Sequence, residues 1–349
     1  MGDPAGPTMR LMTDAQRTRR GAPPARPATI YDVARASGVS HQTVSRLLKG
    51  ADNIAPERRL RVEKALRELN YRPNEAARVL ATNQGRRIAA FTGHLDEVAP
   101  QLILEGAGEV ARREGYILEI TSIGWGDARA HKEVLDSILR APLAGVLLAA
   151  SADELLAALR PEDIHVPVVV EVEASLDADP TRQHPFALGV RHLLECGHRS
   201  FYFVGGPTNW ASARTRRAVF LDLLADAGAV CRGEVAGNWL PGAGEASVEA
   251  IVESGVTAVA CANDRMALGV LAGLRRRGVD VPGAVSVTGY DGLEDGAYYS
   301  PGLTTVEVDY RGMGAAVMDR LLAEVGARSR VGLEPAAPRL ILRESTSRI

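Results

Sequence analysis

The sequence predicts an α/β protein in two parts: a small, basic, all-helical head, then a larger body of two parallel sheets with helices on their faces. Three observations carry that expectation. Up to Arg87 the chain holds 17 Lys and Arg against 8 Asp and Glu, a net of +9, while the remainder holds 24 against 35, a net of −11. The head contains three short segments with apolar residues at helical spacing behind helix-start residues. Beyond Arg87, short β-branched or aliphatic runs alternate with amphipathic stretches, the signature of strand–helix–strand units. At 349 residues and 46% hydrophobic content the chain has length for two or three units and enough apolar material for their cores.

The elements follow in chain order. Residues 1–27 are rich in Pro, Gly and Arg and lack an apolar run of signal-peptide length, so a disordered arm is expected. Thr29 followed by Asp32 marks a helix start, with Ile30, Val33 and Ala34 as its apolar face and Gly38 as its stop. Ser40 is placed to cap a second helix that turns Val44, Leu47 and Leu48 inward. His41, Gln42, Ser45 and Arg46 are left facing out. A third helix starts at Pro56 and buries Val62, Ala65, Leu66 and Leu69. Two short helices joined by a Gly-containing turn and backed by a third make a helix-turn-helix over residues 28–72. The second helix of that motif enters the DNA major groove. Gln pairs there with adenine and Arg with guanine, while Ser and Thr hydroxyls reach phosphates or bases. A basic head on an acidic body fits a phosphate-seeking module joined to one that binds no polyanion.

In the body the strand candidates are RIAAFTG (87–93), ILEITS (117–122), GVLLAA (145–150), PVVVEV (167–172), SFYFVGG (200–206), TAVACAN (257–263) and VSVTGYD (285–291). Helical stretches such as EVARREG, GVRHLLECG and RMALGVLAGLRRRG lie between them. Two such subdomains leave a cleft at the carboxyl ends of their strands, where a small ligand binds. No G-x-S-x-G, P-loop or strand-anchored G-x-G-x-x-G occurs, GAGEAS at Gly242 has the wrong context, and no cofactor is called for. His192, Cys196 and His198 do not make a metal-ligand set. Three scattered cysteines and no apolar run near 20 residues predict a reducing, cytoplasmic setting without membrane contact.

ATIYDVARASGVSHQTVSRLLKG and NYRPNEAARVLAT, with LECGHR, GPTNWASAR, ANDRMALG, GYDGLED and SPGLTTVEVDY in the body, resemble the lactose/galactose repressor family of bacterial transcription regulators. The resemblance runs from the head to the C-terminal LILREST. It implies a periplasmic-binding-protein-like effector domain over 86–349, split into 86–178 with 308–337 and 179–307 with 338–349. It also implies a hinge helix over 73–85 that forms on operator DNA, where Leu80 wedges into the minor groove and Ala77 lets paired hinges approach. Thr29, Ile30, Tyr31, Ser40, His41, Gln42, Thr43, Ser45, Arg46, Tyr71 and Asn74 complete the implied DNA contacts. On the effector side it implies Ala99, Glu171, Trp210, Arg214, Trp239, Asn263, Asp291 and Tyr310. There Arg214 clamps hydroxyls, Asn263 and Asp291 bond others, and Trp239 and Tyr310 form aromatic walls. Asn263 and Asp291 also suit strand-end capping, and Trp239 also suits a core. Ala149, Glu171 and Trp210 depart from the family pattern, so the sugar is left open, a β-galactoside or related saccharide being the first expectation. A homodimeric repressor released by a sugar inducer is therefore expected; a co-repressed regulator or a non-regulatory sugar-binding protein would share the body.

Overall fold

A computed structural model of the protein describes residues 28–48, 53–71, 85–93, 95, 97–123, 128–149, 153, 164–171, 184–327 and 333–349. The arm at 1–27 and the hinge positions Asn74, Ala77 and Leu80 lie outside the described residues. The chain divides into two compact units, one up to Asn83 and one from Gln84 to Ile349.

The head is built from α1 (Ile30–Ser37), α2 (His41–Leu48) and α3 (Pro56–Glu68). A full capping box starts α1: the Asp32 amide donates to Thr29 Oγ1 at 3.3 Å, and the Thr29 amide donates to Asp32 Oδ2 at 2.9 Å. Gly38 ends it at φ +66°, donating to the Ala34 carbonyl. Ser40 Oγ accepts from the Thr43 amide at 3.2 Å and so caps α2. Val33, Ala34, Val44, Val62 and Ala65 form the core, with Ile30, Val39, Leu47, Leu66 and Tyr71 packed around it. Two expected core residues lie outside it: Leu48 is 40% and Leu69 36% exposed. Leu48 is the last residue of α2 and Leu69 caps the C-terminal end of α3, so both lie at the rim of the core.

The body contains two four-stranded, all-parallel sheets. The first comprises β1 (Arg87–Thr92), β2 (Ile117–Ser122), β3 (Leu143–Ala149) and β4 (Val168–Glu171), in the order β2-β1-β3-β4. Its helices are α4 (Val98–Arg113) and α5 (Ala128–Leu139). The second comprises β5 (Ser200–Gly205), β6 (Val230–Ala236), β7 (Ala258–Cys261) and β8 (Ser286–Thr288), in the order β6-β5-β7-β8. Its helices are α6 (Ala187–Glu195), α7 (Ala211–Asp226), α8 (Pro241–Ala246), α9 (Val248–Ser254) and α10 (Asp264–Arg276). A short antiparallel pair, β9 (Thr305–Glu307) with β10 (Arg339–Ile341), flanks α11 (Tyr310–Glu324).

The chain returns to the first sheet through α11, which meets α4 backbone to backbone at two glycines. A Cβ on Gly106 would stand 1.9 Å from the Arg311 carbonyl oxygen, and one on Gly314 would stand 1.9 Å from that of Ile103. Only glycine permits such backbone contact. The C-terminal segment lies beside β8: the Val287 amide donates to Ser345 O and Ser345 Oγ donates to Val287 O. His198 holds the same segment, its ring nitrogens within 3.1 Å of Thr257, Ser286 and the Ser347 carbonyl. One continuous apolar cluster reaches from Ile88 and Leu104 through Phe203 and Phe220 to Leu322.

Candidate nucleic-acid interface and ligand cleft

In the head, His41, Gln42 and Arg46 are exposed on α2, one side of a helix whose Val44 is fully buried. The spacing explains the arrangement: residues 42 and 46 share a face, while Val44 points the other way. Ser40, also exposed, is spent on the cap, and Thr43 Oγ1 lies 3.0 Å from its hydroxyl. Arg46 is hydrogen-bonded to Asn53 ahead of α3. Tyr31 is 62% exposed, with its ring 5.2 Å from that of His41, so the two aromatics continue the same surface. Thr29, Ile30, Ser45 and Tyr71 are half-buried: Thr29 caps α1, and Ile30 and Tyr71 pack on the core.

In the body, the expected ligand residues gather after the strands of the second sheet. Asp291 follows β8, Asn263 follows β7, and Trp239 follows β6. All three are under 10% exposed, as are Trp210 and Tyr310. Tyr310 Oη donates to Asp291 Oδ1 at 2.7 Å, tying the start of α11 to the second sheet. Asn263 caps α10 by accepting from the Met266 amide at 2.9 Å, and its Nδ2 donates to the Trp239 carbonyl at 3.0 Å. The capping reading of Asn263 therefore holds. Trp239 and Asp291 have φ of +65° and +120°, and the third described non-glycine residue with positive φ is Asn70, in the head. Side-chain-bearing residues in this region are strained, and such strain concentrates at functional sites. A Cβ on Gly206 would overlap the Trp239 ring at 2.2 Å, so that glycine makes room for the indole. Trp239 Nε1 and Thr92 Oγ1, at the carboxyl end of β1, are buried without a hydrogen-bond partner among the described residues. Buried polar atoms are costly unless paired, so both are donors a polar guest would satisfy.

Sequence reading missed the centre of this cluster. Arg216, 5% exposed, lies with its guanidinium carbon 4.2 Å from the Tyr290 ring centre and 5.3 Å from that of Trp239. Its Nη1 donates to the Ala262 carbonyl at 2.5 Å and stands 3.8 Å from Asp291 Oδ1. Arg214, the expected clamp, is half-exposed and binds both carboxylate oxygens of Asp153, at 2.8 and 3.0 Å, and the Thr208 carbonyl. That hydrogen-bonded carboxylate pushes its pKa up. Two residues along a helix are about 200° apart, so Arg214 and Arg216 leave α7 on opposite sides. Arg216, not Arg214, is therefore the guanidinium packed among Trp239, Tyr290 and Asp291. One signal marked it: Arg216 falls on the buried stripe Ala213, Arg216, Phe220, Leu223, where an arginine needs a reason. Beneath the cluster, Asp264 is fully buried, accepting from Thr305 Oγ1 and the Leu293 amide, both at 2.6 Å. Burial pushes its carboxyl up to about 6 against these bonds.

The remaining expected residues stand nearer the first sheet. Ala99, in the first turn of α4, packs on the main core. Ala149 ends β3, fully buried, and pairs in register with Glu171 at the end of β4. The Glu171 side chain lies outside the described residues.

Two family models match this chain: "Bacterial regulatory proteins, lacI family" over residues 29–74 and "Periplasmic binding protein-like domain" over residues 190–346. The lactose operon repressor of Escherichia coli (strain K12) is 32% identical over 330 residues, covering 92% of this chain and 91% of that protein. The HTH-type transcriptional repressor PurR of Klebsiella pneumoniae (strain 342) is 30% identical over 337 residues, covering 92% and 97%. A crystal structure of the lac repressor dimer bound to operator and the anti-inducer ONPF superposes with a TM-score of 0.79 at 31% identity. That match covers 92% of this chain and all of the other.

Proposed function

The chain belongs to the lacI family of bacterial regulatory proteins, and from that premise we propose that it is a homodimeric transcriptional repressor, not an enzyme, released from its operator by a small saccharide. The observation that carries the reading is the capped α2 with His41, Gln42 and Arg46 exposed on one side. Its size suits the major groove, and its donors suit base edges. Thr29, Tyr31, Ser40, Thr43, Ser45 and Tyr71 then meet the backbone, with Asn74, Ala77 and Leu80 of the hinge at the operator centre.

The cleft supports the ligand class. A sugar presents hydroxyl edges and C–H faces. Arg216, Asn263 and Asp291 offer donors and acceptors for the former; Trp239 and Tyr310 offer rings for the latter. Tyr310 belongs to a helix packed on the first sheet and bonds Asp291 of the second, so a ligand replacing that bond alters how the halves meet. The change reaches DNA through residues 73–85. For the dimer, β2 is an edge strand with Ile117 61% and Ile120 45% exposed, beside a groove lined by Leu104, Gly108, Tyr116 and Leu118. Exposed apolar edges of this kind need covering, and a second copy covers both.

The test is fluorescence anisotropy with a palindromic duplex selected from a randomised library, with and without a panel of saccharides. The expected outcome is binding that a scrambled duplex does not share and that one saccharide weakens. Equal affinity for both duplexes would overturn the reading; tightening by the saccharide would make the protein co-repressed.

A further inference from the structure

Trp210 stands at the N-terminal end of α7 and is 3% exposed. Its ring meets that of Trp239 at 6.0 Å and 74°, edge to face. Its far edge reaches Gly93, where a Cβ would sit 3.4 Å from Trp210 Cζ2. Gly93 follows β1 and Trp239 follows β6, so this one side chain reaches from the carboxyl ends of the second sheet to those of the first. Its flanks are fixed as well. The Asn209 carbonyl accepts from the Asp153 amide at 3.0 Å, and Arg214, one turn on, grips the Asp153 carboxylate.

We propose that Trp210 determines specificity in the cleft, its indole filling the inner end so that the site takes one pyranose-sized ring and rejects a saccharide extended by a second. The inference rests on the saccharide reading above and adds a size limit to it. Interiors are close-packed, so an extension at this end must displace the indole from both Gly93 and Trp239. The ties at Asn209 and Arg214 oppose that displacement. The 74° angle also leaves no parallel pair of indole faces for a flat guest to lie between.

Calorimetric titration of the full chain with matched pairs, glucose against cellobiose and galactose against lactose, tests the proposal in wild type, Trp210→Ser and Trp210→Phe. Wild type is expected to favour one monosaccharide over its disaccharide at least tenfold, and Trp210→Ser to shrink or reverse that ratio by tenfold. Trp210→Phe, which preserves most of the apolar volume, should shift it at least threefold in the same direction and carries the test if the serine variant does not fold. Equal wild-type affinity for both sizes, or an unchanged ratio in a folded variant, overturns the size limit while leaving the saccharide reading intact. If no saccharide in a wider panel binds wild type and none alters its operator affinity, the saccharide reading itself falls, and the size limit with it.

Discussion

Arg216 does work that a lysine cannot, because its flat guanidinium lies on two rings while its charge faces Asp291. Arg216→Lys is expected to weaken ligand binding at least tenfold, and Arg216→Ala to destabilise the body by about 3–5 kcal/mol by stranding a buried carboxylate. Calorimetry and urea unfolding check both. Arg214→Ala removes a half-exposed ion pair worth less than about 1 kcal/mol, so affinity within a few-fold of wild type is expected; a loss as large as that of Arg216→Lys would return the clamp to Arg214. Asp264 yields a prediction in pH. Its folded-state pKa is raised to about 6, so the stability it contributes is complete below its unfolded pKa and is lost as pH rises through 6. The difference in unfolding free energy between wild type and Asp264→Asn should therefore fall between about pH 4 and pH 6, by up to roughly 3 kcal/mol; a pH-independent difference would show that Asp264 does not titrate there. That Asn263 and Asp291 follow parallel strands was readable, because polar residues mark the ends of buried apolar runs. The arginine was not, because a shift of two positions reverses the face of a helix and motif spacing alone does not set that phase.

Among the elements, α2 is the one whose exposed side is most directly testable. Arg46→Ala should cost on the order of 1–3 kcal/mol on the selected operator and much less on scrambled DNA. Equal losses on both, measured by anisotropy, would reassign Arg46 to phosphate. The head was legible nearly whole, since its caps at Thr29, Gly38 and Ser40 are chemical instructions local to the chain. β6 was not. VCRGEVA is an edge strand whose alternate residues meet solvent, so Arg232 and Glu234 interrupt the apolar run that identifies a buried parallel strand. The short β9 and β10, three residues each, fall below what periodicity resolves.

For the molecule as a whole, the charge division predicts that its two halves answer differently to salt. Binding by a head of net +9 releases counterions from DNA, so operator affinity should fall on the order of a hundredfold or more between 50 and 200 mM salt. Saccharide affinity should change little over the same range; a flat operator response would contradict the electrostatic reading. The two-sheet body was legible because strand–helix alternation survives at this length, whereas the closing of the first sheet by α11 was not, since that contact joins residues some 200 positions apart. That contact has a mechanical consequence. Because Gly106 and Gly314 bring α4 and α11 together backbone to backbone at two points, a larger side chain at either would force the helices apart. Tyr310, the first residue of α11, is thus the joint between this close helix pair and the second sheet: its hydroxyl holds Asp291 while its neighbour Arg311 grips Glu105 and Glu109 of α4.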